Sequence, residues 1–367
     1  MTNSEFLNRF FDLLVQIQQI PSPTFQEKKR ADFVLERFQN EGLNDVTIDT
    51  VGNVYARLHG TGDEMPLIIS AHLDTVFPLD TDLTVTREAN RIFGPGIGDN
   101  SLGVASLFGL LWLLREEGHS FPGDIWLVSN IGEEGLGDLR GMRAVVDRFG
   151  KDVLAYLVLE GLSLGYIQHR ALGVQRYRIS ARSEGGHSWS DYGRPSSIHA
   201  LASLVTEITS MKLPLKPRTT LNVGRIGGGT SVNVIAAEAW MELDLRSEDP
   251  ETLAELVRNM ERLLKMASRP GVIFESELIG QRPAGMLEIT HPLVSLADEC
   301  LREQGFQPLL TIGSTDANIP LSLNYPSLVL GVTTGGGAHT KEEYINTDPI
   351  MRGMAQLVQF VCRAWNL

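Results

Sequence analysis

Four short, almost uninterrupted apolar runs constrain this chain more than any other feature: 66–70, 125–128, 153–159 and 327–332. Such runs suit strands buried on both faces of a mostly parallel sheet. Helical periodicity fills the intervals, at 5–20, 25–42, 104–117, 139–149 and 293–304. The expected fold is therefore α/β, a mostly parallel sheet layered by helices. Residues 173–284 read differently, as a strand at 175–181, a helix at 195–212, strands at 218–223 and 232–245, a helix at 250–266 and a strand at 271–278. The order βαββαβ is that of a ferredoxin-like α+β layer. At ~150 residues per domain, 367 residues accommodate two domains. We expect one discontinuous domain, 1–172 and 285–367, carrying an inserted domain at 173–284.

Each apolar run leads into a chemically active side chain. The first ends in Ala71-His72-Leu73-Asp74, the second in Gly132-Glu133-Glu134-Gly135, the third in Glu160, and the fourth passes three glycines to His339. Ligands of open α/β sheets bind at the carboxyl ends of the strands. The Gly-rich segment Gly94-Pro95-Gly96-Ile97-Gly98 adds Asp99 just ahead of a helix. Imidazole and carboxylate suit zinc, and a carboxylate such as Asp99 can bridge two ions ~3.5–4 Å apart. Asp74 is spaced to orient His72. In the Glu133-Glu134 pair the adjacent side chains point differently, so one can ligate while the other takes a proton from water.

Composition narrows the partners. A net charge of -13 excludes a nucleic-acid surface, which needs clustered Lys and Arg. Cys300 and Cys362 cannot make a disulfide framework, the N-terminus lacks the pattern of a signal peptide, and no run reaches the ~18 apolar residues of a bilayer span. The expectation is a cytoplasmic protein without membrane contact.

The segments at 70–76, 96–100 and 132–135, with the late Gly-rich stretch ending in His339, resemble the M20 metallopeptidases, relatives of glutamate carboxypeptidase, peptidase T, acetylornithine deacetylase and aminoacylase. That resemblance implies a zinc-exopeptidase-type fold and a hydrolase of amide bonds in small peptides or N-acyl amino acids. It implies two divalent cations, Zn²⁺ above Co²⁺ or Mn²⁺, with His72 and Glu160 on one, Glu134 and His339 on the other and Asp99 between them. Glu133 would be the general acid/base and Asp74 the partner of His72. In the inserted domain, His187 resembles a lid histidine that reaches a substrate oxygen, commonly from the partner of a homodimer. Asn233 and Arg246 resemble residues holding a substrate carboxylate, and the segment 313–316 a substrate-binding loop. The inserted domain would thus serve as lid and dimerisation domain.

Three other readings compete. Gly161-Leu162-Ser163-Leu164-Gly165 matches the G-x-S-x-G of serine hydrolases, but the helix a nucleophile elbow requires is not expected after it. The glycines at 94–98 and 227–229 lack the spacing or lysine of nucleotide loops. A silent binding protein on the same fold would have lost a ligand or the base, whereas all seven positions here are filled.

Overall fold

The apolar runs are the strands of one sheet. A computed structural model describes residues 2–367, which divide into two units, one made of the residues to Ala171 together with Met286–Leu367, the other of Leu172–Gly285. In the first unit the main strands are β1 (Asn44–Ile48), β2 (Val54–Leu58), β3 (Glu64–His72), β4 (Gly123–Asn130), β5 (Ala155–Leu159), β6 (Tyr166–Ala171), β7 (Leu309–Gly313) and β8 (Ser327–Leu330). They lie in the order β1-β2-β4-β3-β5-β8-β6, with β7 beside β6. The pairs β3/β4, β3/β5 and β5/β8 are parallel. Hence the carboxyl ends of β4, β3, β5 and β8 share one edge. The outer pairs β1/β2, β2/β4 and β8/β6 are antiparallel.

Strands β1, β2, β6 and β7 carry no continuous apolar run, and sequence reading passes over them. It also passes over the helix Ile350–Arg363, whose Ile350, Met354, Leu357 and Val361 are buried on one face. The helix Gly103–Glu116 is apolar nearly all round because it is buried nearly all round. Among the described residues, the stretch Ile97–Glu116 is long and apolar enough by composition to cross a membrane, yet 89% of that window is buried inside the protein, as in the core helix of a globular fold. Gly109 permits the close approach: a Cβ there would lie 3.0 Å from the Phe10 ring and 3.1 Å from Met354.

The second unit is a four-stranded antiparallel sheet ordered Thr219–Gly228, Glu238–Ser247, Gly173–Ser183, Val272–Arg282, in the ferredoxin-like sequence of elements. Alternate residues of its strands, among them Ile179, Met241, Leu243 and Leu245, form one core with Leu201, Leu204, Leu256 and Met260 of the helices Ser197–Thr209 and Pro250–Ala267. The other face is polar, with Arg176 on Asp244 and Arg178 on Glu242. The expected strand at 232–245 is in fact two, Val234–Ile235 and Glu238–Ser247. The first pairs with Gly186–His187 and the second with Gly173–Ser183, while between them the Ala236 carbonyl accepts from the Ser197 N–H.

Candidate metal centre

Strand β3 delivers His72 to the shared edge, buried at its last residue. The Nδ1 of His72 lies 3.0 Å from the Asp74 carbonyl oxygen. A carbonyl only accepts, so Nδ1 carries a proton and Nε2 is the nitrogen that can turn a lone pair to a metal once any proton of its own is displaced. That Nε2 lies 3.1 Å from Asp99 Oδ1 and 3.8 Å from Glu160 Oε2. On the other side, His339 Nε2 lies 3.0 Å from Asp99 Oδ2 and 3.2 Å from Glu134 Oε1. The two oxygens of Asp99 therefore face different imidazoles, each with a further carboxylate beside it.

Asp74 does more than flank His72. Its carboxylate accepts from the backbone N–H of Glu133 at 3.0 Å and of Glu134 at 2.9 Å, and from the Thr24 hydroxyl at 2.9 Å. Thus one buried carboxylate fixes the loop that carries both glutamates, which are themselves buried. Seven expected residues, His72, Asp74, Asp99, Glu133, Glu134, Glu160 and His339, are brought to one edge of one unit.

The charges interlock. Burial opposes a charged His72, but hydrogen bonds with Asp74, Asp99 and Glu160 outweigh it and hold the imidazole well above its ordinary value. Contacts with Asp99 and Glu134 lift His339 to about 10. Burial likewise opposes ionisation of Asp99, yet His339 and His72 hold it well below the usual carboxylate range. Burial raises Glu160, and the charges of Asp99 and Glu134 add to that. Carboxylates outnumber imidazoles here, and a buried excess of like charge is costly unless cations offset it. The distances agree with such cations: two tetrahedral ligands each ~2.1 Å from a zinc stand about 3.4 Å apart. Ligand atoms of His72, Asp99 and Glu134 all lie within 4.8 Å of one another. The donor set fits divalent metal.

Sequence reasoning missed several supports. Arg30, fully buried, donates to the carbonyls of Leu73 at 2.9 Å and Ile20 at 2.7 Å, tying down the chain after His72. Asp316, from the loop singled out at 313–316, is buried and accepts from Asn130 Nδ2 at 2.7 Å; burial pushes it up to about 7. Glu343 accepts from the N–H groups of Gly96, Gly98 and Asp99, and burial pushes it too up to about 7. The segment after 161–165 is the strand β6, and Ser163 Oγ accepts from Gln168, so the serine elbow lacks its helix.

In the second unit, His187 is exposed, and its Nδ1 accepts from the N–H of Trp189 and of Ser190. Its Nε2 must then bear the proton. Exposed Trp189 and Tyr192 neighbour it in sequence. Asn233 accepts from the Ser231 hydroxyl, and the guanidinium of Arg246 lies 2.6 Å from Asp244.

The sequence pattern of peptidase family M20/M25/M40 matches residues 68–363. A succinyl-diaminopimelate desuccinylase of Corynebacterium glutamicum is 25% identical over 362 residues, 95% of each chain. A tripeptidase from Staphylococcus aureus shares the fold with a TM-score of 0.84 at 22% identity, over 98% of this chain and 99% of that one. A dinuclear metal-binding M20 peptidase of Bacillus subtilis does so at 0.73 and 18%, over 98% of both.

Proposed function

Because the chain belongs to peptidase family M20/M25/M40, we propose that it hydrolyses amide bonds of short peptides or N-acyl amino acids at a centre for two divalent cations. The observation that carries this reading is Asp99, whose Oδ1 faces His72 and whose Oδ2 faces His339. His72 and Glu160 would hold one ion, Glu134 and His339 the other, and Asp99 both. The dinuclear Bacillus subtilis relative supports the count. Zinc suits the mixed imidazole and carboxylate donors best, and Co²⁺ or Mn²⁺ can use them.

When bound, such cations polarise a carbonyl and acidify water. Glu133 takes the proton of the attacking water and returns it to the leaving amine. Asp74 keeps Glu133 in line by gripping its backbone N–H, and fixes the tautomer of His72 through its carbonyl. His187, with its proton on Nε2, is suited to donate to the substrate oxygen as negative charge develops there. As the resemblance implies, it would act across a homodimer formed through the inserted, lid-like domain. Arg246 and Asn233 would hold a substrate carboxylate, Arg246 by exchanging part of its contact with Asp244 for the ligand.

The test is a panel of dipeptides, tripeptides and N-acyl amino acids with the zinc-loaded protein. Chelator-sensitive cleavage of one class is expected, and the bond cut defines the subclass. A protein that binds two ions yet cleaves none of them would instead be a binding protein on this fold.

A further inference from the structure

We propose that Glu343 is a positioning residue that sets the spacing of the two ions by locking the Asp99 loop to the His339 turn. This rests on the two-ion reading above. The Oε1 of Glu343 accepts from the N–H of Gly98 at 2.7 Å and of Asp99 at 2.8 Å, and its Oε2 from the N–H of Gly96 at 3.0 Å. Its backbone carbonyl accepts from Gly94 N–H at 2.9 Å. Gly96 sits in the left-handed region at φ 68, which lets successive N–H groups turn toward one anion. Such a concavity commonly takes a phosphate from outside. Here the chain fills it with its own carboxylate, so the N–H groups of this Gly-rich loop are already engaged from within.

The same residue belongs to the turn that carries His339. Strands Gly335–Gly336 and Tyr344–Asn346 pair antiparallel, with Gly336 opposite Tyr344. Between them Thr340 N–H donates to Gly337 and Glu343 N–H to Thr340. His339 and Glu343 are therefore fixed in one turn. Through Glu343 that turn holds the backbone of Asp99, whose side chain meets His339 Nε2 at 3.0 Å. A glutamine at 343 would bring an NH₂ against one of the inward-pointing N–H donors, and an aspartate would fall one methylene short.

The experiment titrates metal-free wild type and Glu343→Gln with Co²⁺ at pH 8, following visible absorption, spin coupling between the ions, and melting of the metal-free proteins. Glu343→Gln is expected to bind its first Co²⁺ as wild type does, to bind the second at least tenfold more weakly, and to lose the coupled signal. Unchanged affinities and coupling, whatever the melting temperature, would show a purely structural glutamate and overturn the proposal. If Glu343→Gln does not fold, Glu343→Asp is read in its place against the same two outcomes. A wild type without a coupled pair overturns the two-ion reading itself, whereas a coupled wild type matched by its variant overturns the role of Glu343 alone.

Discussion

The edge of the first unit and the His187 loop of the second hold functional side chains under opposite physical conditions. At the sheet edge, buried carboxylates and the buried His72, with the more exposed His339 at the rim, each meet a partner: Asp99 both imidazoles, Asp74 two backbone N–H groups, Glu343 three. Burial without such pairing would cost several kcal/mol per charge. The loop in the second unit leaves His187, Trp189 and Asn233 in water, where no partner is demanded. A buried polar cluster therefore advertises its purpose through its geometry. An exposed one has to be read from its chemistry and from resemblance.

The sharpest way to test that contrast is Glu133→Gln. The substitution keeps shape and leaves the backbone contact with Asp74 intact, so metal content and melting temperature should stay those of wild type. With the proton acceptor gone, kcat should fall by about 10³–10⁴-fold, near the top of what general-base catalysis supplies. Steady-state kinetics with metal analysis of the same sample decides it. Retained turnover would move the base elsewhere and leave Glu133 without the role proposed for it.

His187→Ala probes the opposite pole. Because the side chain is exposed and makes only local contacts, stability should hardly move. Loss of a donor to developing charge should lower kcat about 10²–10³-fold with little change in KM. A fall confined to KM would make it a ground-state binding residue.

Metal itself should separate the two units thermodynamically. A ligand at 100 times its Kd stabilises the state it binds by about 2.7 kcal/mol. Since the donors all belong to the first unit, zinc should raise that unit's unfolding transition and leave the other's in place, as followed by calorimetry. The pH dependence has a definite sign. In the metal-free protein, contacts with Asp99 and Glu134 lift His339 to about 10, and hydrogen bonds with Asp74, Asp99 and Glu160 hold His72 well above its ordinary value, so protons compete with metal at both imidazoles. Metal must displace those protons, and apparent affinity should rise with pH across the neutral range. Isothermal titration in buffers of different ionisation enthalpy should detect the released protons; a pH-independent affinity would contradict this.

How much of this was legible beforehand follows the same division. The strands β3, β4, β5 and β8 announce themselves because both faces are buried, leaving the sequence no alternation to confuse with a helix. Their shared direction then sends His72, Glu133, Glu134 and Glu160 to one edge, so most of the cluster can be inferred without coordinates. Strands β1, β2, β6 and β7 escape because each has a polar or half-exposed face and lies outside the central parallel four. Arg30, Asp316 and Glu343 escape for a deeper reason. Their partners are mainly backbone groups or an amide far off in sequence, and no local pattern records those contacts. The split of 232–245 into two strands likewise depends on partners elsewhere in the chain, Gly186–His187 for the first and Gly173–Ser183 for the second.

The smallest effect is the cleanest control on the second unit. Asp249 caps the helix Pro250–Ala267, its carboxylate accepting from the Thr252 N–H at 2.8 Å and the Thr252 hydroxyl at 2.7 Å. Proline at the first helical position needs no N–H partner, so the cap serves the donors that remain. Asp249→Ala should lower the stability of this unit by about 1 kcal/mol, the usual value of a lost cap. The hydrogen bonds from Thr252 depress the folded carboxyl, so the stabilisation is present above its unfolded value, near 3.8, and fades as pH falls through the folded one. The difference between wild type and Asp249→Ala should therefore be constant at neutral pH and shrink in acid. Zinc affinity should not change at all, because no donor of the metal centre lies in that unit. A variant that weakened zinc binding would show that the two regions are energetically coupled, and the contrast between a self-sufficient buried centre and an independent exposed loop would no longer hold.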